Sequence, residues 1–321
     1  MEKDLSLLII GPLPPPIGGV SIHVSRTLEH LADEDYQYHF LNSKGSSLIS
    51  YVNAVVKVKQ VHIHISQPMV RFALLFIASI LGKQTIATFH GKIFNHGKLK
   101  NYFQMLCLKW STYPIILNDV SYQKAKELNT SSQIISSFLA PKEESLNSNL
   151  IDAINSFKSG LDRVYCTNAY KVSYDKDGND IYSIVRLVEL LSSMDRKIGL
   201  IIADPISSYR SLLEEKGISI PENVLFINEA HPFIEVIKLS DAFIRATYTD
   251  GDSISVKEAL FINKPVITSD VVDRPKGVEL FDINDFNALK VLLENLDLNK
   301  SESAVESAFP SLLKIYQSNL E

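Results

Sequence analysis

Apolar positions along this chain fall into two alternating rhythms. An apolar run at 5–10 meets a proline- and glycine-rich turn from Gly11 to Gly19. Val20, Val24, Leu28 and Leu31 then follow at spacings of three and four, which places them on one face of a helix. Tyr36, Tyr38 and Phe40 alternate as in a strand, as do Val61, Ile63 and Ile65, and further strands are predicted at 85–89 and 115–117 with helices between. The rhythm pauses between about 137 and 160, where 137–145 has little periodicity and reads as a linker. It restarts with strands predicted at 164–167, 198–203, 224–227, 242–246 and 266–269, and helices at 181–193, 206–216 and 233–239. Repeated βα order predicts an α/β class protein, with parallel sheet covered on both faces. Two such halves are expected, 1–140 and 141–302, with a cleft between them, and a helix at about 303–321 that packs back on the first half. In open α/β sheets ligands gather at the carboxyl ends of strands.

Composition removes several function classes. A chain of 321 residues that is 45% hydrophobic and 21% charged can bury a large core, and is neither disordered nor membrane-spanning by composition. Its longest apolar run, 72–81, is half of the roughly 20 residues a spanning helix needs. Mixed charge at Met1-Glu2-Lys3-Asp4 leads straight into the first strand, so no signal peptide is expected and the location is read as cytoplasmic. Cys107 and Cys166 fit no metal spacing or disulfide framework. No metal, cofactor or nucleic-acid partner is expected. The net charge of −5 hides an asymmetry: residues 1–140 carry +5 and 141–321 carry −10. A basic first half suits an anionic partner such as phosphate or a lipid surface, and also fits ordinary compositional scatter.

Three segments can carry chemistry. In the first, a proline run delivers Gly18 and Gly19 to a helix start, where backbone can approach a ligand and free N–H groups can meet phosphate. The same residues fit a plain βα turn. The dinucleotide fingerprint is absent: Gly-x-Gly-x-x-Gly is missing, and Asn42 stands where an acidic residue would end the second strand. In the second, His90 follows a strand beside Gly91 and can donate a hydrogen bond to sugar or phosphate; a structural histidine fits equally. His62 and His64 lie on one side of a strand with no third metal ligand near in sequence. The third runs from Ala242 to Leu260. Arg245 ends a strand, Gly251 lies in a polar loop, a helix begins near Ser253, and Asn263 and Pro265 end it. An arginine at a strand end and the N–H groups of a helix start make a diphosphate clamp.

Asp250 and Glu258 stand eight residues apart, which at helical rise puts them on the order of 10 Å from each other. A retaining-hydrolase pair needs roughly 5–5.5 Å, so these carboxylates suit two ends of a long ligand. Capping is the alternative: Ser255-x-x-Glu258 can form a capping box and Asp252 an N-cap. Asp250-Gly251-Asp252 also has the Asp-x-Asp form of a metal–nucleotide clamp.

The segment from Ile244 to Leu260, with Asn263-Lys264-Pro265-Val266-Ile267 after it, resembles the family-4 retaining glycosyltransferases of bacterial polysaccharide assembly. Asp250-Gly251 through Glu258-Ala259 is similar to that family's Glu-x7-Glu signature, and Asn263–Asp270 to its Gly-Lys-Pro-Val-Ile-Ala segment. The likeness extends to Gly18-Gly19, residues 88–91 and Asp204. It implies the GT-B fold, two Rossmann-like domains facing across a cleft, the second binding the nucleotide sugar and the first the acceptor. The implied activity is metal-independent hexosyl transfer with retention, from a UDP-sugar or GDP-sugar to a glycan or polyprenyl-diphosphate-linked acceptor. By the same resemblance Glu258 holds the ribose, and Asp250 and His90 contact the sugar. The N–H groups of Ser253, Ile254 and Ser255 lie near the diphosphate, with Gly18-Gly19 approaching it, while Asn228 and His231 flank the base. The family's phosphate-binding Arg/Lys pair does not align within 167–178, so Arg245 is expected to supply that charge, with Lys171 or Lys176.

The stretch 92–110 mixes lysines, aromatics and aliphatics, as a helix on an anionic inner leaflet would, and as an amphipathic core helix would. The alternatives kept open are a catalytically silent nucleotide-binding scaffold of a polysaccharide-synthesis complex and a sugar-nucleotide epimerase of the same fold.

Overall fold

The structure, a computed structural model, describes residues 5–15, 17–95, 97–194, 197–299 and 305–318. Residues up to Pro141, together with those from Glu306 onward, form one compact unit, and Lys142–Val305 form the second.

In the first unit strands and helices alternate in chain order: β1 (Leu5–Gly11), α1 (Gly19–Asp33), β2 (Tyr38–Asn42), α2 (Leu48–Val55), β3 (Val58–Ile63) and α3 (Pro68–Ile80). β4 (Gln84–Phe89), α4 (Lys98–Trp110), β5 (Tyr113–Ile116), α5 (Asp119–Leu128) and β6 (Gln133–Ile134) follow. All strands run parallel in the order β2-β1-β3-β4-β5-β6. β1 lies inside the sheet, between β2 and β3, and both of its faces are covered. Leu8 and Ile10 join the core under α2–α5, while Leu7 and Ile9 join the core under α1. Successive strand residues point to opposite faces, which is why a continuous apolar run was needed here.

The second unit repeats the plan with α6 (Ser148–Lys158), β7 (Arg163–Asn168), α7 (Ile184–Ser192), β8 (Ile198–Ala203), α8 (Ser208–Glu215) and β9 (Val224–Ile227). It continues with α9 (Phe233–Leu239), β10 (Ala242–Arg245), α10 (Ile254–Phe261), β11 (Val266–Ser269), β12 (Val278–Phe281) and α11 (Phe286–Asn295). Its parallel order is β12-β11-β10-β7-β8-β9. Leu200 and Ile202 of β8 face α7, α8 and α11, and Ile201 faces α6, α9 and α10. Each such fully buried side chain contributes about 1.5–3 kcal/mol.

α12 (Phe309–Gln317) belongs to the first unit, where Phe309, Leu312 and Tyr316 pack with Val24 and Leu31 of α1. Of the helix expected at 303–321, residues 303, 304 and 319–321 lie outside the described residues.

Two features depart from the sequence expectations. The aperiodic stretch at 137–160 contains α6, capped by Asn147, whose Oδ1 accepts from Leu150 N at 2.8 Å. Only Leu150 and Ile154 of that helix are buried, so its apolar stripe is too thin to register as a period. The helix expected at 181–193 begins at Ile184, because Ser183 takes the left-handed φ of 52°.

Candidate functional site

β10 carries Arg245 to its carboxyl end, and the loop after it returns Asp250 to the guanidinium. Arg245 donates from Nε to Asp250 Oδ2 at 3.1 Å and from Nη2 to Oδ1 at 3.2 Å, a bidentate pair. Arg274, in the loop between β11 and β12, donates from Nη1 to the same Oδ2 at 2.8 Å and from Nε to the Ser269 carbonyl at 3.0 Å. The three side chains are 12%, 7% and 3% exposed for Arg245, Asp250 and Arg274. Burial by itself would raise the Asp250 carboxyl, but the two guanidiniums outweigh it and hold the group down at about 2. Burial likewise works against the charge on Arg245, and Asp250 overrides it, raising the guanidinium further. Two cations around one anion leave the cluster with a single net positive charge. Arg245 also lies over the Tyr182 ring, 5.1 Å from its centroid.

α10 starts beside this cluster in the chain. Its N-cap, Ser253, makes no side-chain cap hydrogen bond, so the first N–H groups of the helix are not taken by a side-chain cap. Neither capping arrangement allowed by the sequence forms: Ser255 Oγ accepts from Asn168 Nδ2 at 3.0 Å, and Asp252 pairs with Lys257. Asn168 ends β7 and its carbonyl lies 3.5 Å from Arg245 Nη1, so the ends of β7 and β10 and the start of α10 meet at one place. Ile254 opens the helix, and Glu258, further along it, is buried at 4% exposure. Asn263 stops it with a φ of 56°.

The remaining predicted residues of this unit lie apart. Asn228 and His231 follow β9, three strands from β10, roughly 14 Å across the sheet at about 4.8 Å per strand. Asn228 Oδ1 and His231 Nε2 are buried without a hydrogen-bond partner. His231 Nδ1 lies 2.8 Å from the Glu229 carbonyl and must carry the proton there. Burial lowers the imidazole's pKa, so Nε2 is an acceptor. Lys171 and Lys176 are exposed in the β7–α7 loop. Asp204 is fully buried and accepts from the backbone N–H groups of Ser208, Tyr209 and Arg210 at 2.8–3.0 Å, a helix-capping role.

In the first unit Gly18 is the N-cap of α1, with an extended φ of −166°. A Cβ added at Gly18 or Gly19 would meet nothing within 4 Å, and neither residue has a positive φ. Neither packing nor backbone strain therefore demands glycine there. Gly11 differs: a Cβ would come within 2.7 Å of Val24 Cγ2 and 3.1 Å of His64 Cβ, so only glycine lets α1 settle onto β1 and β3. That approach brings His23 of α1 against His64 and His90, with ring centroids 5.3 and 5.2 Å apart. His90 is half-buried, and its Nε2 lies 3.0 Å from His64 Nδ1. His62 is a satisfied core histidine, bonded to Tyr316 Oη at 2.7 Å and Thr88 Oγ1 at 2.8 Å.

The structure thus joins Arg245 and Asp250 directly and reaches Ser255 through Asn168, places Gly18, Gly19 and His90 in the other unit, and adds Arg274. The rule that selected Arg245, a cation following a parallel strand, applies equally to Arg274 after β11. Among the described residues no group of three or more His, Cys, Asp or Glu side chains is placed to hold a metal ion, and no helix is long and apolar enough to cross a membrane.

No protein-family model and no curated protein matches the chain. Solved structures do. HepE of Anabaena in complex with UDP-glucose is similar at 11% identity and a TM-score of 0.66, over 97% of this chain and 95% of that one. WaaG, a glycosyltransferase involved in lipopolysaccharide biosynthesis, is similar at 14% identity and 0.67, over 98% and 100%. Sucrose-phosphate synthase of Thermosynechococcus elongatus is similar at 13% identity and 0.63, over 97% and 95%. With two six-stranded parallel sheets, each layered between helices, and whole-length likeness to these structures, the chain has the GT-B fold.

Proposed function

We propose that this chain is a retaining, metal-independent glycosyltransferase that moves a hexose from a nucleotide diphosphate sugar to a glycan or lipid-linked acceptor in surface-polysaccharide synthesis. The observation that carries the reading is the net-positive Arg245–Asp250–Arg274 cluster at the strand ends beside the start of α10. Such a site meets a diphosphate with fixed cations and helix N–H groups, which stabilise the charge that builds on the leaving group. Fixed cations of this kind do the work a metal does in other transferases. The similar HepE structure contains UDP-glucose, which supports the donor class.

A nucleotide lies along the carboxyl ends of the second sheet in this reading. Its base reaches the unpartnered acceptors Asn228 Oδ1 and His231 Nε2, its ribose meets Glu258, and its diphosphate meets the α10 start at Ser253, Ile254 and Ser255. Asp250 sits beneath the sugar and orients Arg245 and Arg274. Both of its oxygens are engaged and it is weakly basic at about 2, a poor nucleophile toward the anomeric carbon. That favours front-face transfer, with the acceptor hydroxyl arriving on the side the diphosphate leaves.

An inner-leaflet surface is the proposed partner of the first unit. Between Tyr36 and Asn118 the chain holds nine Lys and Arg and no Asp or Glu. α3 and α4 expose Val70, Phe76, Ile80, Leu99, Tyr102 and Trp110 within that stretch, the pairing of cations and apolar side chains that binds anionic lipid.

A thermal-shift panel of UDP- and GDP-sugars tests the donor assignment: one nucleotide sugar is expected to raise the melting temperature, since it binds only the folded form. No shift with any of them overturns the reading. Turnover unchanged by EDTA is expected, and strict dependence on Mn²⁺ or Mg²⁺ would overturn metal independence. A donor that binds and is turned over without glycosyl transfer or hydrolysis would mark an epimerase.

A further inference from the structure

The first unit holds a buried cation that the proposed donor chemistry does not use. Arg71, on α3, is 2% exposed. Its Nε donates to the Ile65 carbonyl at 2.6 Å, its guanidinium carbon lies 4.3 Å from the Phe89 ring centroid, and its Nη1 is buried with no partner. Ile65 follows His64 in the chain and Phe89 precedes His90, so the guanidinium is anchored beside the two imidazoles at the carboxyl ends of β3 and β4. His64 Nε2 is likewise buried without a partner. The His64 Nδ1–His90 Nε2 bond, at 3.0 Å, uses one proton, so whichever ring donates it, the neutral pair keeps one further N–H.

No carboxylate is available to Arg71 from the elements around it. β3, α3, β4, α4 and β5 all lie within the stretch from Tyr36 to Asn118 that contains no Asp or Glu. Burial lowers the guanidinium only to about 10, so it remains charged at neutral pH. Burial and neighbouring imidazoles push His64 and His90 down, and Arg71 adds to both shifts. The cluster therefore keeps one buried charge and no counter-charge. An isolated buried charge is costly unless something pairs with it. The cluster is not disposed as a metal site among the described residues, and an arginine in it disfavours a cation. Half-buried His90 is its most exposed member.

We propose that Arg71, with the spare N–H of the His64–His90 pair beside it, forms an oxyanion subsite that takes a phosphoryl group carried by the acceptor. The assignment to the acceptor rests on the glycosyl-transfer reading above; the oxyanion site itself does not. Guanidinium and imidazole N–H groups are the donors that match phosphoryl oxygens. The subsite explains why a region rich in cations keeps an arginine where a leucine or methionine would pack without desolvation cost.

The test is a thermal melt of the full chain in chloride buffer, with inorganic pyrophosphate or geranyl diphosphate added at constant ionic strength, for wild type, Arg71→Met and Arg71→Lys. Pyrophosphate is expected to raise the wild-type melting temperature by roughly 3–5 °C at ten times Kd. Arg71→Met should melt at or above wild type without ligand, having lost an unpaired buried charge, and should lose at least half of that rise. Arg71→Lys should keep part of it. A stronger response to geranyl diphosphate places the anion on a lipid-linked acceptor, and an equal response places it on a phosphorylated glycan. Equal shifts in wild type and Arg71→Met, or no wild-type shift with a destabilised Arg71→Met, overturn the subsite. UDP binding, followed in the same variants, separates the two proposals. Loss of UDP affinity in Arg71→Met would move Arg71 to the donor and overturn the acceptor assignment, while absence of UDP binding in wild type defeats the donor reading and leaves the oxyanion result standing.

Discussion

Asp250 holds two arginines at once, and its removal is a different experiment from removal of either cation. Asp250→Asn leaves Arg245 and Arg274 buried without their shared anion, and a broken buried pair costs about 3–5 kcal/mol. Urea unfolding at neutral pH should register that loss, and a variant as stable as wild type would show that the cluster is held by other contacts. The carboxyl is held at about 2, below its ordinary value, so its contribution is fully present above pH ~4 and is lost as pH falls through the lowered value. Arg245→Ala and Arg274→Ala are each expected to reduce kcat by about 10²–10³-fold, the range for removal of a donor to developing negative charge. Because both reach one carboxylate, their effects should be non-additive in a double-mutant cycle; wild-type donor affinity and turnover in Arg245→Ala would refute the clamp. Arg245 was legible in the sequence as a cation at a strand end. Its direct bond to Asp250, five residues on, was not, because a loop's return path leaves no periodic mark.

Among the elements, helices with broad apolar stripes and strands with clear alternation were readable, and thin or short ones were not. β8 and β9 coincide with the predicted spans at 198–203 and 224–227, each a dense apolar run. β6 has two residues, both exposed, and β12 has four with one buried, so neither carries enough alternation to stand out. α4 was readable as a helix, yet its environment was open, and its exposed Leu99, Tyr102 and Trp110 beside Lys98, Lys100 and Lys109 leave an outward face of cations and apolar side chains. At about 1 kcal/mol per lysine near an anionic surface, Lys98→Glu with Lys100→Glu should weaken sedimentation with phosphatidylglycerol vesicles at least tenfold. Wild type that fails to sediment with such vesicles would remove the membrane proposal.

For the molecule as a whole, acid is the informative stress. His62, His64 and His90 are kept neutral by burial, their pKa values pushed well below the ordinary 6.5. The unfolded chain protonates them near 6.5 and the folded chain does not. Their contribution is therefore complete above that value and is lost as pH falls below it, by up to about 1.4 kcal/mol per pH unit for each histidine. Facing groups intensify this: Arg71 and His23 are cationic or can become so, and Tyr316 and Thr88 offer hydroxyls but no carboxylate. Urea midpoints between pH 7 and 5 should fall steeply for the first unit, as read by near-UV signals of Trp110. A flat profile would show that these imidazoles titrate in the native state.

The parallel α/β class and the stretches that form the inner strands were present in the residues themselves. Local alternation and helical spacing are properties of neighbours in the chain, and burial on two faces forces a strand to be apolar throughout. What the tertiary structure alone decided was which distant groups share a charge or a proton. Arg274 reaches Asp250 across 24 residues and His62 reaches Tyr316 across 254; Arg71 is sealed among elements with no carboxylate. Electrostatic partnership depends on distance in space, and the order of residues along a chain carries no period that records it.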